Sequence, residues 1–166
     1  LIGGTILYEA MREMGYKGLA ATYTWFEGYA EIVGWDTCQG YLFAMPHPYG
    51  GLWPEAEALD PEFEERYGSK FNWVGLLSMN VLYVLTDALR QAGTVDDTAR
   101  IVETMETGSF DSLVGPVYYG GKMVNGIGHM LVWPSPIYEV VGVDEYQVLA
   151  VYTPEETEAI LEEVYK

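Results

Sequence analysis

The sequence has little positive charge and lacks a long uninterrupted apolar run. Eight basic residues stand against 25 acidic ones, which gives a formal net charge of -17. A surface of that sign repels phosphate backbones and anionic lipid, so we expect no nucleic-acid partner. The longest apolar stretches, near residues 74–85 and 127–133, are interrupted by polar residues and glycine. Because a membrane helix needs roughly 20 apolar residues, the sequence predicts no membrane span.

Cysteine is almost absent. Cys38 is the only cysteine, so an intramolecular disulfide is impossible, and no paired Cys/His spacing predicts a zinc site. No His lies close in sequence to activate the thiol, and the residue precedes an apolar segment. We therefore interpret Cys38 as a small core residue and expect neither a metal nor a cofactor.

Enzyme signatures are also missing. The sequence contains no GxSxG, GK[ST] or HExxH motif and no GxGxxG after a strand, which are the spacings that build common catalytic and phosphate-binding sites. The acidic pairs lie in or near the first turns of predicted helices, where they complement the helix dipole. These are the pairs at 64–65, 96–97 and 155–156. The sequence therefore predicts a protein that is not an enzyme.

The first fifty residues alternate between helical and strand patterns. The 166 residues are 49% hydrophobic, which is enough for a packed core. Apolar spacing predicts helices at 5–14 and 27–33 and strands at 18–23 and 40–45. This alternation indicates a parallel α/β sheet, and the prolines and glycines of 46–54 predict a turn-rich connector.

The remainder is helical first and strand-rich later. A helix at 62–67 is followed by a long one at 72–91, closed by Gly93, and by a third whose predicted cap is Thr94. Residues 114–151 are rich in β-branched and aromatic side chains, as strands are. Thr153 opens a capping box for a terminal helix.

Five segments in this order resemble a known family. They are a helix ending in MGYKG before a strand, a turn WDTCQGY entering a strand, a helix FEERYG, a helix ending DALRQAG, and a strand beginning at Phe110. Together they resemble the type I periplasmic-binding fold, and within it the branched-chain amino-acid (Leu/Ile/Val)-binding family of ABC transporters. Two positions depart from the family pattern, Gln39 in place of Glu and Met79-Asn80 in place of Tyr-Asp, so ligand specificity does not carry over.

The resemblance implies an architecture of parallel sheets flanked by helices, in two lobes joined by a hinge that the chain crosses several times. Complete family members are much longer, so we expect only the C-terminal half here. Residues 1–50 would then belong to the C-terminal lobe, 51–115 to the helical part of the N-terminal lobe, and 116–166 to a hinge crossing, the final strands and a helix. We expect such a half to pair with the missing N-terminal half or to self-associate.

The aromatic segment Tyr23, Thr24, Trp25 and Phe26 is the first candidate for ligand binding. It follows the first strand at its carboxyl end, where open α/β sheets place ligands, and solute sites need aromatic walls with a few polar groups. The alternative is that Trp25 and Phe26 pack against the following helix.

A second candidate set lies at the start of the long helix. By resemblance, Trp73, Leu77 and Ser78 face the cleft from the other side, and their alternative role is packing in the core. Of the two histidines, His47 stands between two prolines, a setting typical of an exposed loop. His129 is interpreted as a hydrogen-bonded histidine of an apolar strand.

The function implied by the resemblance is the solute-binding component of an ABC importer. It would be periplasmic, or extracellular and lipid-tethered, and would capture a small amino acid or related carboxylate or aromatic solute before docking on an ABC permease. The aromatic content of 14% favours an apolar or aromatic solute. The alternative is a ligand-sensing domain of a receptor or of an amide-type regulator with the same fold, which a flanking transmembrane helix or output domain would indicate.

Overall fold

The computed structural model describes residues 2–165, which form helices and two sheets. The helices are α1 (Ile2–Glu13), α2 (Gly28–Val33), α3 (Trp35–Cys38), α4 (Pro54–Glu57), α5 (Asp60–Tyr67), α6 (Trp73–Ala92), α7 (Thr98–Thr107), α8 (Lys122–Asn125) and α9 (Pro154–Val164). The strands are β1 (Ala20–Thr22), β2 (Tyr41–Phe43), β3 (Ser109–Phe110), β4 (Val117–Gly120), β5 (Met130–Val132), β6 (Ser135–Gly142) and β7 (Glu145–Tyr152).

The larger sheet has the strand order β1-β2-β6-β7. The predicted α/β class is confirmed, and the parallel pairing is found between β1 and β2, with Ala20 opposite Tyr41. The pairs β2–β6 and β6–β7 are antiparallel. The β6–β7 pair has this direction because a tight turn at Val143 and Asp144 joins the two strands, and such a turn connects only antiparallel neighbours. The smaller sheet, β3-β4-β5, is antiparallel throughout.

An aromatic core lies between the larger sheet and helices α1 to α3. Phe43 stacks on Tyr138 with ring centroids 4.8 Å apart and on Trp25 at 6.0 Å. Such offset contacts add to the free energy gained by burying the rings. Cys38 is buried in the same cluster, so its interpretation as a core residue is confirmed.

A second core joins α4, α5, α6 and the smaller sheet. One face of α6 is buried at every fourth residue, from Leu76 through Val84 to Ala92. Asn80 lies on that face, and its Oδ1 accepts a hydrogen bond from the backbone N–H of Leu113 at 2.9 Å. Asn80 therefore anchors the loop before β4.

Three helices, α6, α7 and α9, begin at residues whose side chains cap them. Asn72 caps α6 by accepting from the N–H groups of Val74 and Gly75, and Thr153 forms the predicted capping box of α9. The prediction that Thr94 caps α7 is wrong: Asp97 caps it, by accepting from the N–H of Arg100. Thr94 instead accepts from Asp96 N and Asp97 N in the preceding turn, because Ser and Thr hydroxyls close such turns as readily as they cap helices.

The two cores meet along the connectors at 44–53 and 133–134. Trp53 Nε1 donates to the hydroxyl of Tyr138 at 3.1 Å across this junction. The first core combines residues up to Phe43 with β6, whereas the second is drawn from positions 56 to 117. The lobe boundaries at 50 and 115 stay a prediction.

None of the helices within residues 2–165 is both long enough and apolar enough to cross a membrane.

Candidate functional site

The segment after β1 splits into exposed and buried residues. Tyr23 is 59% exposed and Phe26 is also exposed, whereas Trp25 is only 1% exposed. The Trp25 ring lies among Tyr29 and Phe43, and its Nε1 donates to the hydroxyl of Tyr146 at 3.1 Å. Trp25 is therefore packed in the core, whereas Tyr23 and Phe26 are open to solvent.

Thr24 is buried, and its hydroxyl has no hydrogen-bond partner among residues 2–165. Buried hydroxyls are nearly always paired, because an unpaired one loses its water without compensation. Thr24 therefore leaves a polar group unsatisfied at the carboxyl end of β1.

A carboxylate and an imidazole meet beside this segment. Glu27, directly before α2, lies 2.9 Å from Nε2 of His47, measured from its Oε1. His47 is 1% exposed, so the expectation of an exposed loop residue is wrong. The reason is topological: β1 and β2 are parallel neighbours, so the segments that follow them meet at one edge of the sheet.

Aromatic rings enclose His47 and leave Glu27 partly exposed. The centroids of Tyr146, Tyr49 and Phe43 lie 4.9, 5.4 and 5.5 Å from that of the imidazole. Burial, and then the charge of Glu27, raises the pKa of the Tyr146 hydroxyl. Tyr146 therefore remains a neutral donor around neutral pH.

A polar path runs from this pair to the start of α6. The Tyr49 hydroxyl donates to Oδ1 of Asp60 at 2.9 Å, and the same oxygen accepts from the backbone N–H of Phe71 at 2.6 Å. Burial and the hydrogen bond to Asp60 raise the pKa of Tyr49. The backbone N–H of Tyr49 donates to Nδ1 of His47 at 3.4 Å, and Phe71 directly precedes Asn72, the cap of α6. Hydrogen bonds therefore connect His47 to the start of α6.

Lys70 adds an ion pair across the same junction. Its Nζ lies 2.8 Å from Oδ2 of Asp144 in the β6–β7 turn, and this hydrogen bond raises the pKa of Lys70. The carboxylates of Glu27 and Asp60 raise it further. The junction thus carries three carboxylates, which favour a cation.

One member of the second candidate set, Ser78, lines a cavity, whereas Trp73 and Leu77 do not line it. Trp73 and Leu77 are partly buried, and the buried indole Nε1 of Trp73 has no hydrogen-bond partner in the part of the chain that the structure describes. Ser78 is exposed, and its hydroxyl donates to the backbone oxygen of Val74 at 2.8 Å. It lines a cavity of about 290 Å³ between α5 and α6, together with Phe63 and Met79.

The structure does not bring the two candidate sets into one cavity. Five cavities in the part of the chain that the structure describes are lined by residues other than Tyr23, Thr24, Trp25 and Phe26. Because the two candidate sets lie apart, their assignment to one ligand site stays a prediction. Within residues 2–165, no group of three or more His, Cys, Asp or Glu side chains is placed to hold a metal ion.

Sequence reasoning missed several members of the junction. They are Glu27, Tyr49, Asp60, Lys70, Asp144 and Tyr146. Glu27 and His47 had a usable signal, since each follows one of two strands predicted to be parallel neighbours. The other residues join the site through turns whose geometry the sequence does not specify.

His129 is hydrogen-bonded, as interpreted, but it does not lie in a strand. It precedes β5 rather than lying within it, and its exposed ring pairs with Glu106 at 2.9 Å. Gly126, at a φ of 76°, ends α8 in the left-handed conformation three residues before His129.

No family model matches the sequence, and no curated protein matches it. Solved structures do match. A leucine-, isoleucine-, valine-, threonine- and alanine-binding protein from Brucella ovis in a closed conformation has a TM-score of 0.73 at 17% identity, over 92% of this chain and 41% of its own. A branched-chain amino-acid ABC transporter periplasmic ligand-binding protein from Burkholderia xenovorans has a TM-score of 0.74 at 16% identity, over 96% and 43%.

A leucine-binding protein from Thermotoga maritima matches with a TM-score of 0.63 at 21% identity, over 92% of this chain and 42% of its own. These neighbours are binding proteins. At such identities the likeness establishes the fold, and the chain spans about two fifths of the length of each neighbour. This chain therefore has the type I periplasmic-binding fold over the two fifths of the neighbours' length that it covers.

Proposed function

We propose that the polypeptide containing this chain is the solute-binding component of an ABC importer, and that the chain supplies one wall of its ligand site. The observation that supports this most is the Glu27–His47 pair, at 2.9 Å. It lies at the carboxyl edge of β1 and β2, where α/β folds bind ligands. The exposed rings of Tyr23 and Phe26 and the unpaired hydroxyl of Thr24 lie next to it along the chain.

The proposed ligand is a small amino acid with an apolar or aromatic side chain. Glu27 is partly exposed and acidic, so it can accept hydrogen bonds from an ammonium group, and such charge-assisted bonds are the stronger ones. His47 fixes the orientation of the carboxylate. Tyr23 and Phe26 offer apolar surface for the ligand side chain, and the names of the matched structures, which include leucine-binding proteins, support the same class.

Closure of two lobes would bring the second candidate set to this wall. Residues 1–50 and 51–115 are the proposed contributions to the two lobes, with 116–166 crossing between them. The hydrogen bonds that connect His47 through Tyr49 and Asp60 to the start of α6 support this arrangement. Trp73, Leu77 and Ser78 are the proposed contacts on the opposite side. Hinge closure of this kind is how two-lobed binding proteins enclose a solute.

The proposed partner of the closed form is an ABC permease, and the proposed location is periplasmic, or extracellular with a lipid tether. We further propose that the chain is paired with an N-terminal half in the polypeptide. The acidic surface keeps such a receptor soluble at high concentration.

A thermal-shift experiment on the intact polypeptide tests the proposal. Leucine, phenylalanine and glycine are each added at increasing concentration, beside 4-methylpentanoate, which is leucine without its ammonium group. A ligand at about a hundred times its Kd adds about 2.7 kcal/mol of stability, so leucine or phenylalanine should raise Tm by several degrees. Because Glu27 is the proposed acceptor for the ammonium group, 4-methylpentanoate should raise Tm much less than leucine does. Failure of every amino acid to raise Tm would refute the function.

A further inference from the structure

The two histidines of the chain make the same contact in opposite surroundings. Nε2 of His47 lies 2.9 Å from Oε1 of Glu27, and Nε2 of His129 lies 2.9 Å from Oε1 of Glu106. The His129 side chain is 55% exposed, whereas the His47 side chain is 1% exposed. Imidazole is the side chain that gains or loses its charge near neutral pH. In the buried pair, water screens that change of charge less, so it acts more strongly on neighbouring groups.

The contacts of His47 fix the position of its proton. Its Nδ1 accepts a hydrogen bond from the backbone N–H of Tyr49 at 3.4 Å. A neutral imidazole has one donor nitrogen and one acceptor nitrogen, so Nε2 carries the proton and donates a hydrogen bond to Glu27. Both nitrogens are therefore satisfied in the neutral form, and the pair carries one negative charge, on the carboxylate.

A second proton on His47 has to enter at Nδ1. The new Nδ1–H then faces the backbone N–H of Tyr49, so a hydrogen bond is lost and two donors oppose each other. Because the ring is buried, water does not replace the lost acceptor. The imidazolium and the Glu27 carboxylate together carry no net charge. Protonation of His47 thus cancels the negative charge of the pair and displaces Tyr49.

Glu27 is the one charged group among the residues that face the His47 ring. These residues are Glu27 before α2, Phe43 on β2, Tyr49 on the same connector, Tyr138 on β6 and Tyr146 on β7. Burial raises the pKa of all three tyrosine hydroxyls, that of Tyr138 to about 12. The tyrosines therefore stay neutral while an imidazole titrates, and Glu27 alone responds to the charge of the ring.

The next charged groups lie beyond Tyr49. Asp60 accepts from the Tyr49 hydroxyl at 2.9 Å, and Nζ of Lys70 lies 5.8 Å from the centroid of the Tyr49 ring. Lys70 is itself paired with Asp144 at 2.8 Å. Because Asp60 also accepts from the backbone N–H of Phe71, a displacement of Tyr49 is transmitted to the segment before α6.

We propose that His47 is a pH sensor for the ligand site, and that its protonation weakens the hold of Glu27 on the ligand's ammonium group, so that the solute is released in acid. The proposal rests on the proposed function, in which Glu27 accepts that ammonium group. With His47 protonated, the ligand would add a second cation to one carboxylate, so each cation weakens the binding of the other. Affinity is therefore highest at pH values where His47 is neutral and falls as the pH falls, and ligand binding displaces a proton from His47.

Titration calorimetry of the intact polypeptide with leucine at pH 7.5 and pH 5.5 tests the proposal. Free leucine keeps both of its charges over this interval. The molecules with a neutral His47 are the ones that bind tightly, so Kd should be at least about fivefold higher at pH 5.5. Titrations at pH 6.5 in two buffers with different heats of ionisation should show release of a fraction of a proton per leucine bound.

Three variants assign the effect to one histidine. His47→Gln keeps a donor for Glu27 but has no titrating ring, so Kd should differ by less than about twofold between the two pH values, and proton release should vanish. His47→Asn, which keeps an acceptor for the N–H of Tyr49, is the second variant if His47→Gln fails to fold. His129→Gln is the matched control, and it should keep the pH dependence of the unaltered protein.

The proposal would be overturned by an unaltered protein whose Kd is the same at both pH values. It would also be overturned if the pH dependence persisted in the His47 variants, or if it disappeared in His129→Gln. Tight binding of leucine without pH dependence would refute the sensor and leave the solute function intact. Absence of leucine binding at both pH values would refute the solute function and the sensor together, so the two failures are distinguishable.

Discussion

Replacing Trp25 with alanine tests whether this residue belongs to the core, as the structure places it, or to an open ligand surface. The ring is 1% exposed and lies within about 6 Å of Phe43, Tyr29 and Tyr41, measured between centroids. Truncating a buried Trp to Ala costs about 3–5 kcal/mol, because apolar contact is lost and a cavity remains. The lost hydrogen bond to Tyr146 adds about 1 kcal/mol.

The assay is urea unfolding followed by circular dichroism in the far ultraviolet. A domain has about 5–15 kcal/mol of stability in total, so Trp25→Ala should remove between about a quarter and all of it and lower the unfolding midpoint accordingly. Trp25→Phe keeps most of the packing and should cost less. Tyr23→Ala is the matched control two residues away, and since Tyr23 is exposed its effect should stay within about 0.5 kcal/mol.

The reasoning would be refuted if Trp25→Ala and Tyr23→Ala had the same small effect on the free energy of unfolding. Trp25 would then be dispensable to the core. If Trp25→Ala folded normally but bound solute more weakly, the prediction from the sequence that this side chain touches the ligand would be correct.

Three further predictions concern other parts of the chain. Asp60→Ala leaves Tyr49 Oη and Phe71 N without their acceptor, so it should cost about 2–4 kcal/mol in urea unfolding, whereas Asp60→Asn, which keeps an acceptor, should cost less. Burial, aided by the charge of Glu9, raises the pKa of the Cys38 thiol to about 11. The folded state therefore keeps this proton where the unfolded chain releases it near 9.0, so stability should fall as pH rises from 9 to 11, and iodoacetamide at pH 8 should modify Cys38 only after urea is added. Thr153→Ala removes the capping box of α9 and should lower the free energy of unfolding by about 1 kcal/mol, while Thr153→Asp should restore most of it.

Local chemistry explains why much of the fold could be predicted. Asn72 and Gly93 bracket α6 because a side-chain acceptor and a left-handed residue are needed at its two ends, and both needs are visible in the sequence. The Thr153 capping box is equally local. Strand direction was harder, because the parallel β1–β2 pair follows from the alternation of elements, whereas the antiparallel β6 joins them from far along the chain.

The site was predicted less completely because it is assembled by distant contacts. Trp25 donates to Tyr146, which is 121 positions away, and Lys70 pairs with Asp144, 74 positions away. No spacing rule connects such residues. His47 was misread for the same reason: its neighbours in sequence are prolines, but its neighbours in space are Glu27 and aromatic rings.

Titration calorimetry of the intact polypeptide with leucine, comparing the unaltered protein with Glu27→Gln, tests the central claim most directly. Glu27→Gln keeps a hydrogen-bonding partner for His47 but removes the charge that would hold the ammonium group. A charge-assisted hydrogen bond is worth about 1.5–3 kcal/mol, so affinity should fall by at least about tenfold, while Glu55→Gln on the exposed face of α4 should leave it unchanged. Equal affinity in the unaltered protein and Glu27→Gln would contradict the account.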